Sequence, residues 1–258
     1  MKPIIIIGSG HAGITLAREI RAKDKISPLV IVTQVNGDLY YKPNLSKALS
    51  MGKTPDTLIM KTREVLEMQL DICIMSETKV IGVDVASHSL SVLKDDKEES
   101  IDYHSLVFAT GASPVNLGLS TTNNDKIISI NSLEDYLLFT SKLEPDTRVL
   151  IIGAGYVGCE FASDLSSTGH KVDVVDLTKW PLQRILPQAL GAKIAEAFPK
   201  ELVDWHFNCG VKQLQDTDTG IKATLSNGQI LETDLVISAV GLSPNNYLAE
   251  RAGININK

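Results

Sequence analysis

The chain has 258 residues, 43% of them hydrophobic and 22% charged, and its formal net charge is −6. These are the values of a globular protein, so disordered, collagen-like and low-complexity chains are excluded, and the acidic balance argues against a nucleic acid partner. No apolar run approaches the ~20 residues of a membrane-spanning helix, and the N-terminus reaches a glycine-rich turn too early for a signal peptide. Three widely spaced cysteines predict neither a disulfide framework nor a metal site. We therefore expect a cytoplasmic protein with no membrane association and no metal ion.

The first predicted elements are a buried strand at 4–7, a glycine-rich turn at 8–13 and a helix. Apolar residues recur at helical spacing from Ile14 to Ile20 in that helix, and a second buried strand follows at 29–33. Such short runs of β-branched and other apolar residues are typical of parallel strands that are covered on both faces. The sequence therefore predicts a strand–turn–helix–strand unit in a parallel sheet.

A predicted hairpin and a closing strand follow, and then the same order of predicted elements is repeated. The hairpin has a strand at 89–93 and a charged tip at 94–99, and the closing strand leads into ATGASP at 109–114. The second copy has the turn GAGYVG at 153–158 between a buried strand and a helix, then a strand, an Asn-Gly hairpin and VGLSPN at 240–245. This repeat predicts an α/β fold with two Rossmann-like dinucleotide-binding units.

Each glycine-rich turn has the spacing GxGxxG between a strand and a helix. The first glycine permits a tight turn, the second lets the backbone approach a pyrophosphate, and the third lets the helix pack closely on the strand. The helix N-terminus then offers free N–H groups to the phosphates. Two copies predict two nucleotide sites. The glycines are Gly8, Gly10 and Gly13 in the first copy and Gly153, Gly155 and Gly158 in the second.

The residue that ends the second strand of each copy indicates which nucleotide binds. Asp176 ends this strand in the second copy. An acid at this place accepts a hydrogen bond from the ribose 2′-hydroxyl of NAD and repels the 2′-phosphate of NADP. The first copy has no acid at 33–36, where Gln34 or Asn36 is left to bind a ribose hydroxyl, so on these grounds the ligand of this copy stays open.

Several motifs resemble those of the FAD- and NAD-dependent pyridine nucleotide reductases. They are the paired GxGxxG turns, the ATGxxP closure at 109–114, Glu160 two positions after the second turn, and VGLSPN at 240–245. The branch of this family that reduces rubredoxins is similar in three further segments, YKPNLS at 41–46, NSLEDY at 131–136 and TGHKV at 168–172.

The resemblance implies an FAD domain with an inserted NAD domain, hydride transfer from NADH to FAD, and single-electron transfer to a rubredoxin-like acceptor protein. The implied boundaries are 1–114 for the first part of the FAD-binding domain, 115–242 for the NAD-binding domain and 243–258 for the return toward the FAD domain. The residues implied to contact the cofactors, besides the glycines and Asp176, are Ser9, His11, Ala12, Thr33, Gln34, Lys42, Val80 (through its backbone), Thr110, Gly111, Glu160 and Gly241.

Two of these residues are candidates for a catalytic role. Reduced flavin carries negative charge that a nearby cation stabilises, and Lys42 beside a proline is the candidate cation. We expect Glu160, near the start of the second glycine-turn helix, to pair with Lys42 across the domain boundary. The alternative is that Lys42 is a solvated loop cation and that Glu160 is an acid favoured by the helix dipole.

The chain departs from the family pattern in two places. No cysteine lies between Met1 and Asp71, where dithiol members carry their pair, so disulfide reduction is not expected. The family continues beyond AGININK with a Gly-Asp motif that holds the flavin and with a C-terminal domain. Because the sequence stops at Lys258, we expect that domain to be absent and part of the flavin to be uncovered.

Other functions stay open on the sequence alone. The acceptor is a rubredoxin in the leading hypothesis, and a ferredoxin or a flavorubredoxin in the second. A third hypothesis is a non-catalytic dinucleotide-binding module. An acidic rubredoxin needs a local basic patch on this acidic chain, for which Lys42, Lys47 and Lys53 are candidates.

Overall fold

The computed structural model describes residues 1–119, 121 and 124–256. The chain forms two compact units. Unit 1 contains Met1–Tyr41, Ile59–Ser113 and Ser243–Lys258, and unit 2 contains Lys42–Leu58 and Pro114–Leu242. The segment 42–58 therefore belongs to unit 2, whereas the sequence-based boundaries place it in the FAD-binding domain. That unit 1 binds FAD and unit 2 binds NAD stays a prediction.

The helices and strands have the following bounds. The helices are α1 (His11–Lys23), α2 (Pro55–Leu58), α3 (Arg63–Leu70), α4 (Leu133–Ser141), α5 (Tyr156–Ser167), α6 (Gln188–Ala197) and α7 (Tyr247–Arg251), with 3-10 helices at Lys42–Lys47 and Asn124–Lys126. The strands are β1 (Ile4–Ile7), β2 (Leu29–Val32), β3 (Leu39–Tyr40), β4 (Ile59–Lys61), β5 (Cys73–Met75), β6 (Lys79–Asp84), β7 (Ser89–Lys94), β8 (Lys97–Asp102), β9 (Ser105–Phe108), β10 (Ala112–Pro114), β11 (Ile127–Ile128), β12 (Val149–Ile152), β13 (Val172–Asp176), β14 (Val203–Phe207), β15 (Val211–Thr217), β16 (Gly220–Leu225), β17 (Ile230–Thr233), β18 (Leu235–Ser238) and β19 (Leu242–Pro244). None of the described helices has the length and apolar composition needed to span a bilayer.

In unit 1 the first glycine-rich turn follows the carboxyl end of a parallel strand. The sheet order is β5-β2-β1-β9, and Ile4 of β1 pairs with Leu29 of β2. Alternate residues of β1 face opposite layers, as expected for a strand. Ile6 packs with Ile14 of α1, whereas Ile5 packs with residues of β6 and β7 in the antiparallel sheet β6-β7-β8. The predicted buried parallel strand is confirmed.

Unit 2 repeats this arrangement. Its parallel sheet has the order β11-β18-β12-β13-β14, and α5 contacts both β12 and β13. Leu150 and Ile152 of β12 pack with residues of the antiparallel sheet β15-β16-β17. Both units thus have a parallel sheet, a glycine-turn helix and an antiparallel cover, and the predicted fold class of an α/β protein with two Rossmann-like units is confirmed.

Both predicted hairpins are present, and the first has a shorter tip than its charges suggested. Lys94 of β7 pairs with Lys97 of β8, which leaves only Asp95 and Asp96 in the turn. Both aspartates have positive φ, 49° and 57° respectively, as a two-residue hairpin turn requires. The remaining charges at 97–99 are exposed strand residues.

A His–Asp pair joins two strands of unit 2 and predicts a pH-dependent stability. His206 Nε2 lies 2.6 Å from Asp173 Oδ1, and this hydrogen bond raises the pKa of His206. A raised pKa means that the stabilisation is complete below the ordinary histidine pKa of about 6.5 and is lost as the pH rises through the folded-state pKa. We expect D173N to lower the free energy of unfolding by about 1–2 kcal/mol at pH 5.5 and by clearly less at pH 9, measured by urea unfolding. An equal loss at both pH values would contradict this.

Candidate functional site

The first glycine-rich turn, in unit 1, needs glycine for steric reasons at two positions. Gly8 has a φ of +112°, and a Cβ there would lie 2.3 Å from the carbonyl oxygen of Ala109. A Cβ at Gly13 would lie 1.9 Å from the carbonyl oxygen of Gly8. At Gly10, by contrast, a Cβ would meet no described atom within 4 Å. The turn is therefore closely packed at its first and third glycines and open at the second, as a pyrophosphate needs.

The helix that leaves this turn begins without a side-chain cap. Gly10 is the N-cap residue of α1, and the first turn of α1 contains no acidic residue. Its first backbone N–H groups can therefore bind an anion, and nothing in that turn neutralises the positive end of the helix dipole. His11 and Ala12 are exposed at the helix start, where the His11 ring meets the Tyr41 ring edge-to-face at 6.4 Å. These features fit the phosphates of FAD.

The other residues predicted to contact FAD in unit 1 have different surroundings. The Ser9 hydroxyl donates to Thr33 Oγ1 at 2.9 Å, and both side chains are buried. Gln34 is exposed. The Val80 side chain packs in the core, so a cofactor could contact only its backbone. The Ser9–Thr33 bond fixes the turn against the end of β2, and Gln34 is left free to face a ligand.

Asn245 braces the closing turn of unit 1, a role that sequence analysis did not assign. The Thr110 hydroxyl donates to the Asn245 carbonyl oxygen at 2.6 Å, and the Asn245 amide donates back to the Thr110 carbonyl oxygen at 2.9 Å. The Ser113 hydroxyl donates to Asn245 Oδ1 at 2.7 Å. Gly111 between them has a φ of +67°. The sequence signal for these hydrogen bonds is Asn245 itself, the final residue of the VGLSPN motif.

The second glycine-rich turn, in unit 2, has nearly the same geometry as the first. Gly153 has a φ of +110°, and a Cβ there would lie 2.6 Å from the carbonyl oxygen of Ala239. A Cβ at Gly158 would lie 1.9 Å from the carbonyl oxygen of Gly153, and a Cβ at Gly155 would meet no described atom within 4 Å. Gly241, in the closing turn, has a φ of +114°. As in the first copy, the helix starts at glycine with no side-chain cap and no acid in its first turn.

Asp176 occupies the position in unit 2 that Thr33 occupies in unit 1, because each directly follows the residue that pairs with the end of the strand before the glycine-rich turn: Val175 pairs with Ile152, and Val32 pairs with Ile7. One carboxylate oxygen of Asp176 accepts from the Ala154 N–H at 2.5 Å, and the other accepts from the Thr178 N–H at 2.7 Å. A carboxylate has about four lone-pair sites, so acceptor capacity remains for a ribose hydroxyl. The acid is thus held against the turn that would bind the phosphates.

The predicted pairing of Lys42 with Glu160 is wrong. Lys42 donates to Asn131 Oδ1 at 3.1 Å. Partial burial lowers the pKa of Lys42, an effect that the charge of Asp135 opposes. The carboxylate of Glu160 instead accepts from the Ser46 hydroxyl at 2.5 Å and lies 3.4 Å from Lys47 Nζ.

Helix geometry explains this change of partner. Lys42 and Lys47 are the two ends of a 3-10 helix, which rises about 2 Å per residue, so their backbones are about 10 Å apart. At three residues per turn, side chains five positions apart also point about 120° apart around the helix axis, so Lys42 and Lys47 face different neighbours. Sequence analysis named Lys47 only as a candidate for a basic patch, and no local pattern in the sequence distinguishes it from Lys42 as the partner of Glu160.

The described cysteines are all free. Cys159 follows the third glycine of the second turn and is buried, and burial raises its pKa to about 11. Because the thiolate is the reactive form, a thiol with this raised pKa stays protonated at neutral pH.

The chain belongs to the pyridine nucleotide-disulphide oxidoreductase family, which it matches over residues 2–258. It is 42% identical over 266 residues to the rubredoxin-NAD(+) reductase of Acinetobacter baylyi, with 100% of this chain and 67% of that protein covered. It is 34% identical over 258 residues to the nitric oxide reductase FlRd-NAD(+) reductase of Pectobacterium atrosepticum, with 100% and 66% covered. Among solved structures, a covalent putidaredoxin reductase–putidaredoxin complex has a TM-score of 0.89 and 25% identity, with 99% of this chain and 62% of that chain covered.

These matches confirm the resemblance found in the motifs and the assignment to the oxidoreductases that use FAD and NAD(H). The chain spans about two thirds of the length of these curated relatives. The roles of the individual site residues stay predictions.

Proposed function

We propose that this chain forms the FAD- and NADH-binding part of a cytoplasmic electron-transfer reductase, with a rubredoxin-like protein as its electron acceptor. The observation that carries the proposal is the matched pair of glycine-rich turns, each open at its second glycine and each followed by an uncapped helix N-terminus. The 42% identity to a rubredoxin-NAD(+) reductase supports the choice of acceptor.

Each unit binds one of the two nucleotides. The N–H groups at the start of α1 bind the phosphates of FAD, and those at the start of α5 bind the phosphates of NADH. Asp176 accepts from the ribose 2′-hydroxyl and selects NADH over NADPH. Bound FAD supplies the chemistry that accepts a hydride and releases electrons one at a time.

Glu160 holds the cation of this site. It lies two residues after Gly158 and pairs with Lys47, while the Ser46 hydroxyl occupies its second oxygen. We assign to Lys47 the positive charge that favours the reduced flavin, and to Glu160 the task of holding that charge in place. Lys42, held by Asn131, stays a candidate for binding FAD.

The test of the proposed function is a flavin spectrum of the purified chain. We expect a yellow protein whose visible flavin absorbance bleaches when NADH is added, because hydride transfer reduces the bound flavin. A colourless protein that still binds NADH would instead support the dinucleotide-binding module. In the yellow protein, E160Q should slow the bleaching because Lys47 loses its anionic partner, whereas E134Q, an acid in the first turn of α4, should leave the rate unchanged.

The acceptor is tested separately. The relative from Pectobacterium atrosepticum is a flavorubredoxin (FlRd) reductase by its name, so a flavorubredoxin is the second candidate. Purified acceptors of both kinds, and a ferredoxin, should be assayed for reduction with NADH. We expect the rubredoxin to be reduced fastest. Charge reversal at Lys53 should slow its reduction more at low salt than at high salt if Lys42, Lys47 and Lys53 form the docking patch.

A further inference from the structure

Asp164 is a buried acid of α5 that binds the backbone of a segment far away in the sequence. It is 2% exposed. Its carboxylate accepts from the Leu49 N–H at 3.0 Å and from the Ser50 N–H at 2.8 Å. Both donors belong to the segment 42–58, which is part of unit 2 together with α5. A buried carboxylate is unfavourable unless its oxygens receive hydrogen bonds, and these two N–H groups supply them.

The groups around Asp164 do not compete with the two amides for its carboxylate oxygens. No salt bridge joins Asp164 to a cation among the residues that the structure describes. Tyr136 lies close enough to feel its charge, and burial together with Asp164 raises the pKa of Tyr136 to about 12, so the phenol stays neutral. The Tyr136 hydroxyl makes no hydrogen bond to the described residues, so the structure places the Leu49 and Ser50 amides as the donors to the Asp164 carboxylate.

Asp164 follows Glu160 by four residues, so the two acids lie on the same face of α5. Both bind the same segment: Glu160 accepts from the Ser46 side chain, and Asp164 accepts from the Leu49 and Ser50 backbone. The segment is thus fixed at two levels along one helix. The first contact, at Glu160, includes the ion pair with Lys47. The second contact, at Asp164, involves only backbone N–H groups of the segment.

The Lys47–Glu160 ion pair holds its geometry only weakly by itself. Lys47 and Glu160 are 54% and 34% exposed, and ion pairs with this exposure hold a geometry weakly. Backbone N–H groups have no side-chain rotamers, so two of them on a buried carboxylate form a much stiffer contact. We propose that Asp164 is a positioning residue, whose grip on the Leu49 and Ser50 amides sets Ser46 and Lys47 against Glu160. Its effect on electron transfer rests on the proposed function.

The first test is amide hydrogen exchange of the chain without nucleotide. D164N keeps the size of the side chain but replaces one acceptor oxygen by an amide that cannot accept. We expect the Leu49 and Ser50 amides to exchange at least about tenfold faster in D164N. The matched control is D234N, an acid of the same unit that accepts from the Arg148 N–H at 2.8 Å, and it should leave these two amides unchanged. Unchanged exchange in D164N overturns the proposal.

The second test is the reduction of bound FAD by NADH, followed by stopped flow. D164N should lower the limiting rate about 10- to 100-fold, the loss expected from a misplaced catalytic group, while the Kd of NADH changes by less than about threefold. D164E keeps both acceptor oxygens and should recover part of the rate. The double variant S46A/D164N should be no slower than the slower single variant, because D164N acts by loosening the Ser46–Glu160 contact that S46A removes.

The outcomes separate the two ideas. If the wild-type FAD is reduced normally and D164N is as fast, the positioning role is overturned and the proposed function stands. If wild-type protein takes up no FAD or is not reduced by NADH, the proposed function fails, and the exchange of Leu49 and Ser50 still decides whether Asp164 holds the segment. Multiplicative slowing in S46A/D164N overturns the shared route through Ser46.

Discussion

D176N should reduce the preference for NADH over NADPH by one to three orders of magnitude. A carboxylate close to the 2′-phosphate of NADPH repels it by up to ~4 kcal/mol at an effective dielectric constant near 20, and screening by salt reduces this value. Asparagine removes the charge and keeps one acceptor oxygen. The measurement is the ratio of kcat/KM for the two coenzymes.

The ratio is the proper readout because Asp176 also has a local structural task. It accepts from the Ala154 and Thr178 N–H groups, and the loss of one of these hydrogen bonds should weaken the binding of both coenzymes equally. The matched control is D173N on the same strand, whose carboxylate faces His206 instead. It should leave the ratio unchanged at pH 8. A ratio in D176N within threefold of the wild-type value would show that Asp176 does not face the ribose.

G158A should destabilise unit 2 far more than G155A does. The new Cβ of G158A would lie 1.9 Å from the Gly153 carbonyl oxygen, so α5 must move away from β12. We expect a loss of about 3 kcal/mol in the free energy of unfolding. In G155A the φ of −78° suits alanine and the Cβ meets no described atom within 4 Å, so the loss should stay within about 0.5 kcal/mol.

Urea unfolding of both variants measures this contrast. G13A and G10A form the same pair in unit 1, since the Gly13 Cβ would also lie 1.9 Å from a carbonyl oxygen. Equal stability of G158A and G155A would mean that the third glycine is not required for packing between helix and strand.

Local patterns predicted most of the fold. The apolar runs of β1 and β12 and the two GxGxxG turns depend on neighbouring residues and on steric rules that act within a few positions, so the sequence reveals them directly. The Asn-Gly hairpin is of the same kind, and Gly228 has the positive φ, 88°, that such a turn needs. The charges at 94–99 predict a longer tip than the structure has, because the strand residues at the exposed edge of this sheet are also charged.

The contacts of the segment 42–58 could not be predicted in this way. Ser46, Leu49 and Ser50 bind residues of α5 that are more than 100 positions away in the chain. No local pattern shows which of two lysines in one short helix faces Glu160, and an acid in the middle of a helix, such as Asp164, is usually a surface residue. Only the folded chain shows that α5 holds this segment.

Nucleotide binding by the two second-glycine variants tests the central claim most directly. G10A and G155A each place a methyl group where a pyrophosphate would approach, with little expected change in stability. The Kd values of FAD and NADH should be measured for both by calorimetric titration. We expect G10A to raise the Kd of FAD at least tenfold and to leave the Kd of NADH unchanged. We expect G155A to raise the Kd of NADH at least tenfold and to leave the Kd of FAD unchanged. If either variant raised both Kd values alike, or raised neither of them, the assignment of one nucleotide to each turn would be contradicted.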